Sequence, residues 1–255
     1  MNSQEKVIFL LKILAQAPYE YGVTELGKKI GCGKSGTFKL LSTLVDNGFV
    51  KQNVNHKYTL GLAVYLIGKT YEEQIGITHY ARPYMEKLRD EVNENVNLGM
   101  MVGDVATIVC RVESHQVVRI TGKIGDPRPF YASAIGKTLA AYEDTETIKR
   151  WYAREPIRAL TNMTKTSLEK ILSDLAMVRE RGYAISDEEF ASEAFGIGAP
   201  IRDPSGKVWA AISIGAPKIR IDQNKITLFS KLLVETANRM SKDLSVEGAT
   251  FSLKY

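Results

Sequence analysis

Thr24-Glu25-Leu26-Gly27-Lys28-Lys29-Ile30-Gly31, followed after Cys32-Gly33 by Lys34-Ser35-Gly36-Thr37-Phe38-Lys39-Leu40-Leu41-Ser42-Thr43-Leu44-Val45, decides the reading of this chain. Thr24 can accept a backbone N–H at the start of a short helix, and Gly31 can take the left-handed conformation that ends it. A second helix opens at Lys34, carries Leu40, Leu41 and Leu44 as its buried stripe, and closes at Asn47-Gly48. Two short helices joined by a tight glycine-containing turn predict a helix-turn-helix.

The flanks extend that motif. Upstream, Val7, Leu10, Leu11 and Leu14 have the spacing of one helix face, which predicts a supporting helix from about Gln4 to Ala17, stopped near Pro18. The same stretch has the outline of a signal peptide, with Ala15-Gln16-Ala17 as its cleavage site. Lys12 interrupts its apolar run, however, and Glu5 stands where positive charge should dominate, so a cytoplasmic chain is expected. Downstream, Phe49–Gln52 reads as a strand, Asn53-Val54-Asn55 as a turn and His56–Leu60 as the returning strand, the wing of a winged helix. Lys34, Ser35, Thr37 and Lys39 on the second helix are the types that reach base edges or phosphates from a major groove. Lys51, His56 and Lys57 on the wing can lie along phosphates. Phe38 could meet a thymine methyl or fill the core, and the core reading is preferred. The duller alternative is a solvated lysine face on a winged helix that binds another protein.

Charge agrees with the DNA reading without deciding it. Residues 1–62 hold eight lysines against four acids, a net of +4, while the whole chain of 255 residues carries only +5. A basic head on a nearly neutral body fits a polyanionic partner met at one end. With 44% hydrophobic and 25% charged residues the composition is that of a globular protein. No run of eighteen apolar residues occurs, so no membrane-spanning helix is expected. Two cysteines, Cys32 and Cys110, cannot form a disulfide framework and suit a reducing compartment.

Beyond the wing, Leu62, Tyr65, Leu66 and Lys69 begin a helix ending near Gly76 that reads as a bridge. A further helix is expected to start at Ala81-Arg82-Pro83, with Tyr84, Leu88 and Val92 inward. Strands follow at Val96–Val102, Val105–Val112 and Val117–Lys123, the first two joined by a Gly103-Asp104 turn. Helices are expected at Ser133–Tyr142 and Thr166–Arg181, the second with a Thr166-x-x-Glu169 capping box. Phe195–Ile201 and Val208–Ile214 flank a turn at Asp203-Pro204-Ser205-Gly206, and an amphipathic helix through Phe229, Leu233, Met240 and Leu244 closes the chain. The body is thus read as an antiparallel sheet with helices packed on it, an α+β fold. The expected division is residues 1–61 as winged head, 62–77 as linker helix and 78–255 as the second domain.

With these segments placed, the chain resembles the IclR family of bacterial transcriptional regulators. The resemblance rests on Thr24-Glu25-Leu26, Lys34-Ser35 with Leu40-Leu41-x-Thr43-Leu44, and Lys57-Tyr58-Thr59-Leu60-Gly61. In the body it rests on Ala81-Arg82-Pro83, Arg111-Val112-Glu113-Ser114, Ala132-Ser133-x-x-Gly136-Lys137, Arg179-x-x-Gly182-Tyr183-Ala184, Asp187-Glu188-Glu189, Ala199-Pro200-Ile201 and Ala210-Ala211-Ile212-Ser213-Ile214. It implies a winged-helix DNA reader, a linker helix and an effector-binding domain of GAF-like fold, acting as a homodimer or a tetramer on palindromic double-stranded operators, more often as a repressor. Carried over position by position, the effector pocket falls on Ala134, Ile135, Ser186, Gly196, Ser213 and Gly215. Relatives that bind small oxoacids tend to have Gly-Ala, Asp, Cys and two Ser there. The departures imply a larger or less polar ligand than glyoxylate or pyruvate, such as an aromatic or sugar acid. Gly27 and Gly36 stand where Ala and Thr are usual, which suggests a head less rigid until it docks.

Enzyme signals are weak. Gly136-Lys137-Thr138 ends like a phosphate loop, but Tyr131 occupies the place of its opening glycine, and a packing role is favoured. His56, His79 and His115 have no metal-ligand spacing, Cys110 reads as a core residue, and Asp187-Glu188-Glu189 reads as a solvated loop. No catalytic residue, metal or cofactor is therefore expected. The rival reading is a small-molecule hydrolase or isomerase whose head binds another protein. It would need a nucleophile–base pair converging in the second domain.

Overall fold

In the computed structural model the described residues are 1–154 and 157–246. The chain divides into two compact units, Met1–Gly76 and Ile77–Tyr255. The last residues of the expected second domain, 247–255, lie outside the described part.

The first unit holds α1 (Ser3–Leu14), α2 (Val23–Lys29), α3 (Lys34–Asp46), the hairpin β1 (Val50–Gln52) and β2 (Tyr58–Leu60), and α4 (Leu62–Ile75). Asn2 starts α1 through a reciprocal cap. Its Oδ1 accepts from Glu5 N at 2.9 Å, and Glu5 Oε2 accepts from Asn2 N at 2.7 Å. The helix ends three residues earlier than its apolar spacing suggested, at Leu14 with Ala15 as its cap. The cap of α2 is Gly22, whose N–H donates to Glu25 Oε2, so Thr24 lies inside the helix rather than before it. Gly31 does take the left-handed turn, at φ 59°. Leu10, Ile13 and Leu14 of α1 pack with Leu26, Ile30, Leu41, Leu44, Val50 and Tyr58 into one small core.

Gly27 has a steric reason. A Cβ there would stand 2.7 Å from Cys32 O and 3.0 Å from Thr37 Oγ1, so glycine is what lets α2 close against the turn and α3. The expectation of a loosened head is thereby corrected at this position: the missing methyl is clearance, not slack.

The second unit is a five-stranded antiparallel sheet in the order β4-β3-β7-β6-β5, formed by β3 (Asn95–Val102), β4 (Val105–Val112), β5 (Ala184–Asp187), β6 (Ala194–Arg202) and β7 (Val208–Pro217). Around it stand α5 (Ile77–Val92), α6 (Ala134–Ala140), α7 (Thr145–Arg154), α8 (Leu168–Arg181) and α9 (Gln223–Val246). Ser213 and Ala211 of β7 alternate with Ile212 and Ile214, and all four are buried, so the sheet is covered on both faces. This is the α+β architecture expected.

Several local readings differ. Residues 117–123 form no strand, because Val117 and Val118 are exposed and pair with no neighbouring strand; the segment is a loop along the sheet edge. The fifth strand is instead β5, a four-residue element too short to show alternation in sequence. Helix α5 begins at Ile77, so Pro83 lies inside it rather than in its first turn. Ser167, not Thr166, caps α8 by accepting from Lys170 N.

Helix α6 is seated by two devices. A Cβ at Gly198 of β6 would meet Thr138 Oγ1 at 2.7 Å and Ala134 O at 2.9 Å, so the glycine lets the helix lie directly on the strand. On its other flank Lys137, 1% exposed, bonds Asp174 Oδ2 of α8 at 2.5 Å and both oxygens of Glu189 at 3.0 and 2.9 Å. Lys165 joins the same two carboxylates at 3.3 and 2.8 Å, giving two cations against two anions. Glu189 is thus buried and paired, which corrects the reading of Asp187-Glu188-Glu189 as a solvated loop.

Removing one partner of a buried ion cluster leaves an uncompensated charge. Lys137→Met should lower unfolding free energy by about 3 kcal/mol, measured by urea denaturation of the second unit's signal. Gly198→Val should cost about 1–3 kcal/mol in the same assay, and an unchanged midpoint would mean that α6 does not rest on β6.

Candidate nucleic-acid interface and ligand cavity

The exposed face of α3 carries Lys34, Ser35, Phe38 and Lys39. Thr37 is on the opposite side. It is fully buried, and its hydroxyl donates to Gly33 O at 3.0 Å. The buried stripe is Thr37, Leu41 and Leu44, a clean i, i+4, i+7 row, with Leu40 only half-buried. This register removes Thr37 from the groove-facing residues. It puts Phe38, 56% exposed, in that set, against the expectation that Phe38 is core.

On the wing, Lys51 and His56 are exposed, and His56 sits at the hairpin tip with φ 58°. The turn is shaped by Asn53, whose Oδ1 accepts from the N–H of Asn55 and of Lys57, both at 3.0 Å. Lys57 differs from the other two. Its ammonium bonds Glu20 Oε1 at 3.0 Å, while Asn53 Nδ2 donates to the second oxygen of the same carboxylate at 2.9 Å. The hydrogen bond to Glu20 and the charge of that carboxylate hold the Lys57 pKa above the ordinary lysine value. Lys57 therefore ties the wing to the loop after α1, with a side chain that is still 44% exposed. Lys51 and His56 stand exposed on the same wing.

In the second unit Ala134, Ile135, Ser186, Gly196, Ser213 and Gly215 all line one cavity of about 70 Å³. Elements distant in sequence converge there because β6 and β7 are neighbours with Gly196 opposite Gly215, while Ser186 of β5 is opposite Gly196. Not every polar atom is free: Ser186 Oγ donates to Ala132 O at 2.6 Å, and Ser133 Oγ caps α6 by accepting from Gly136 N at 3.0 Å.

Sequence reasoning missed Asn97, Arg111, Arg128 and Phe190, which also line the cavity. Arg111 is held by Asn97 Oδ1 at 3.2 Å and by Ile120 O, and Phe190 lies under the Arg128 guanidinium at 4.8 Å from the ring centre. These arginines bring charge to a wall that is otherwise largely apolar. Gly196 and Gly215 remove polar atoms on one side, and two guanidinium groups supply charge on the other. The volume is also small, since one water needs roughly 10–15 Å³ on this measure. A sequence signal existed in Arg111 and Arg128 flanking the irregular stretch before α6, but nothing in the spacing brought them together.

A winged helix with a basic reading face, joined to an α+β unit with a small cavity walled in part by two arginines, defines a transcription regulator of the helix-turn-helix class. Two family models match. The IclR helix-turn-helix domain covers residues 4–54, and the bacterial transcriptional regulator IclR C-terminal domain covers residues 69–242. The chain belongs to the IclR family of bacterial transcriptional regulators. It is 29% identical over 245 residues to the transcriptional repressor IclR of Escherichia coli, covering 94% of this chain and 89% of that protein. Its fold is shared by the crystal structure of an IclR regulator from Silicibacter, with a TM-score of 0.87 at 23% identity over 96% of each chain. It is shared too by an IclR homolog from Microbacterium hydrocarbonoxydans complexed with 4-hydroxybenzoate, with a TM-score of 0.84 at 22% identity, covering 96% of this chain and all of that one.

Thr37 and Phe38 should separate cleanly in a stability assay. Phe38→Ala should change unfolding free energy by under about 0.5 kcal/mol. Thr37→Val removes a buried hydroxyl that serves the helix start and should cost about 1 kcal/mol. The reverse order by thermal denaturation would refute the assigned helix register.

Proposed function

We propose that this protein is a repressor that binds a palindromic operator as a dimer and whose grip is set by a small anionic metabolite held in the cavity of the second unit. The observation that carries the DNA half is the exposed row Lys34, Ser35, Phe38 and Lys39 on α3, beside Lys51 and His56 on the wing. Lysines there neutralise phosphates, Ser35 and Lys39 have hydrogen-bonding reach to base edges, and Phe38 can pack on a thymine methyl. A two-fold protein matches a two-fold site and doubles an otherwise small contact.

The cavity half rests on the convergence of the six pocket positions with Arg111 and Arg128. An anion would answer the guanidinium charge and fit the limited volume. The 4-hydroxybenzoate in the Microbacterium homolog is consistent with an acid as the ligand class. No Ser, Cys or Asp in this cavity is arranged with a base as a nucleophile would be, so the reading is binding and release rather than turnover.

In a gel shift on the DNA upstream of its own gene, binding should weaken steeply as salt rises. Lys34→Ala and Lys39→Ala should each lower affinity across sequences and reduce the salt slope by about 1. Phe38→Ala should narrow the gap between operator and random DNA. Affinity unchanged in both lysine variants would mean that α3 is not the reading helix.

A further inference from the structure

Arg111 on β4 and Arg128 ahead of α6 are both buried in the cavity wall, with side chains 7% and 12% exposed. A Cβ placed on Gly122 would stand 2.7 Å from Arg111 Nη1 and 2.9 Å from Arg128 Nη2, so the two groups converge on one point, and their nitrogens lie no further apart than the sum of those distances. Guanidinium groups stay charged throughout the physiological range. Like charges buried this close repel one another, and that arrangement needs compensation.

The protein's own compensation is incomplete. Glu113 Oε1 is 3.7 Å from Arg111 Nε, and Asp126 Oδ2 is 3.8 Å from Arg128 Nη2, both beyond hydrogen-bond reach, and both carboxylates are partly exposed, Asp126 being engaged by Lys123 N. Glu113 is shared as well, bonding Arg119 at 3.1 Å. Arg111 Nε is buried and makes no hydrogen bond among the described residues. Burial lowers the pKa of both arginines, and the nearby cation adds to the effect on Arg128. Phe190 on one side and Asn97 on the other fix the two groups in place without neutralising them.

We propose that Arg111 and Arg128 form an anion clamp that selects a compact dianion, a short dicarboxylate or a phosphate monoester, as the ligand of this cavity. The proposal rests on the reading of the cavity as the effector site. A monoanion would answer only one of the two cations. Two negative charges bring charge-assisted bonds to both groups. The small volume keeps the ligand compact.

The test is calorimetry and thermal shift on the full-length protein, somewhat above neutral pH so that phosphate is a dianion. The probes are malonate and inorganic phosphate, with acetate and pyruvate as monoanions of matched size. At least one dianion should bind about tenfold or more tightly than the monoanions, a factor of the size that charge-assisted bonds supply. Which of the two binds better separates the dicarboxylate from the phosphate source. Arg128→Gln is the informative variant, because among the described residues its guanidinium is held by Phe190 and more loosely by Asp126, with no hydrogen bond. It should erase that preference while leaving the ligand-free protein as stable as before or more so, since a like-charge contact is relieved. Arg128→Lys should retain part of the preference. Equal binding of mono- and dianions, or a preference that survives Arg128→Gln, overturns the clamp, as does an Arg128→Gln variant that melts early with no ligand present. The same dianion added to the gel shift separates this idea from the regulatory one. Tight, Arg128-dependent binding that leaves the DNA complex untouched upholds the clamp and removes metabolite control. Release of DNA by some other metabolite, with no dianion binding, does the reverse.

Discussion

The ammonium of Lys137, buried between Asp174 and Glu189, is the interaction on which the second unit depends. A lysine with almost no contact with water can stay charged only if carboxylates are held against it, so α6, α8 and the segment after β5 must meet at one place. That requirement fixes α6 over the sheet, and α6 supplies Ala134 and Ile135 to the cavity wall. The family motif Ala132-Ser133-x-x-Gly136-Lys137 is therefore structural in this chain. Its serine starts the helix, and its lysine anchors it.

The ion cluster and the cavity are joined by one residue of chain. Glu189 belongs to the cluster, and Phe190 lies beneath Arg128 in the cavity wall. Packed side chains and charged pairs of this kind have discrete arrangements rather than a continuum. Any movement of Arg128 on taking up an anion would act on Phe190, and through it on the anchor of α6. The physical route from ligand to helix is short.

In the head, the balance between charge and burial is set by α3. Its buried row is closed by Thr37, whose hydroxyl turns back to the chain, and its exposed row keeps two lysines, a serine and an aromatic ring. Lys57 shows that a cation in a wing can carry a structural role. It pairs with Glu20 at the surface, and the pair braces the hairpin against the loop after α1.

The sequence by itself determined the helix-turn-helix and its wing, the antiparallel α+β body, and the six positions that line the cavity. Apolar periodicity, glycine punctuation and a family pattern spread over the chain all report local geometry or its inherited order. It placed Leu41 and Leu44 in the buried row of α3 but took Leu40 where Thr37 is the fully buried member, because both sets satisfy helical spacing almost equally well; only packing against Leu26 and the turn decides between them. It could not show that Val117–Lys123 lacks a strand partner, nor that Glu189 leaves solvent for Lys137. Tertiary structure alone brought Arg111 and Arg128 to one wall. Such a meeting depends on where a loop crosses a sheet edge, and neither composition nor spacing encodes that.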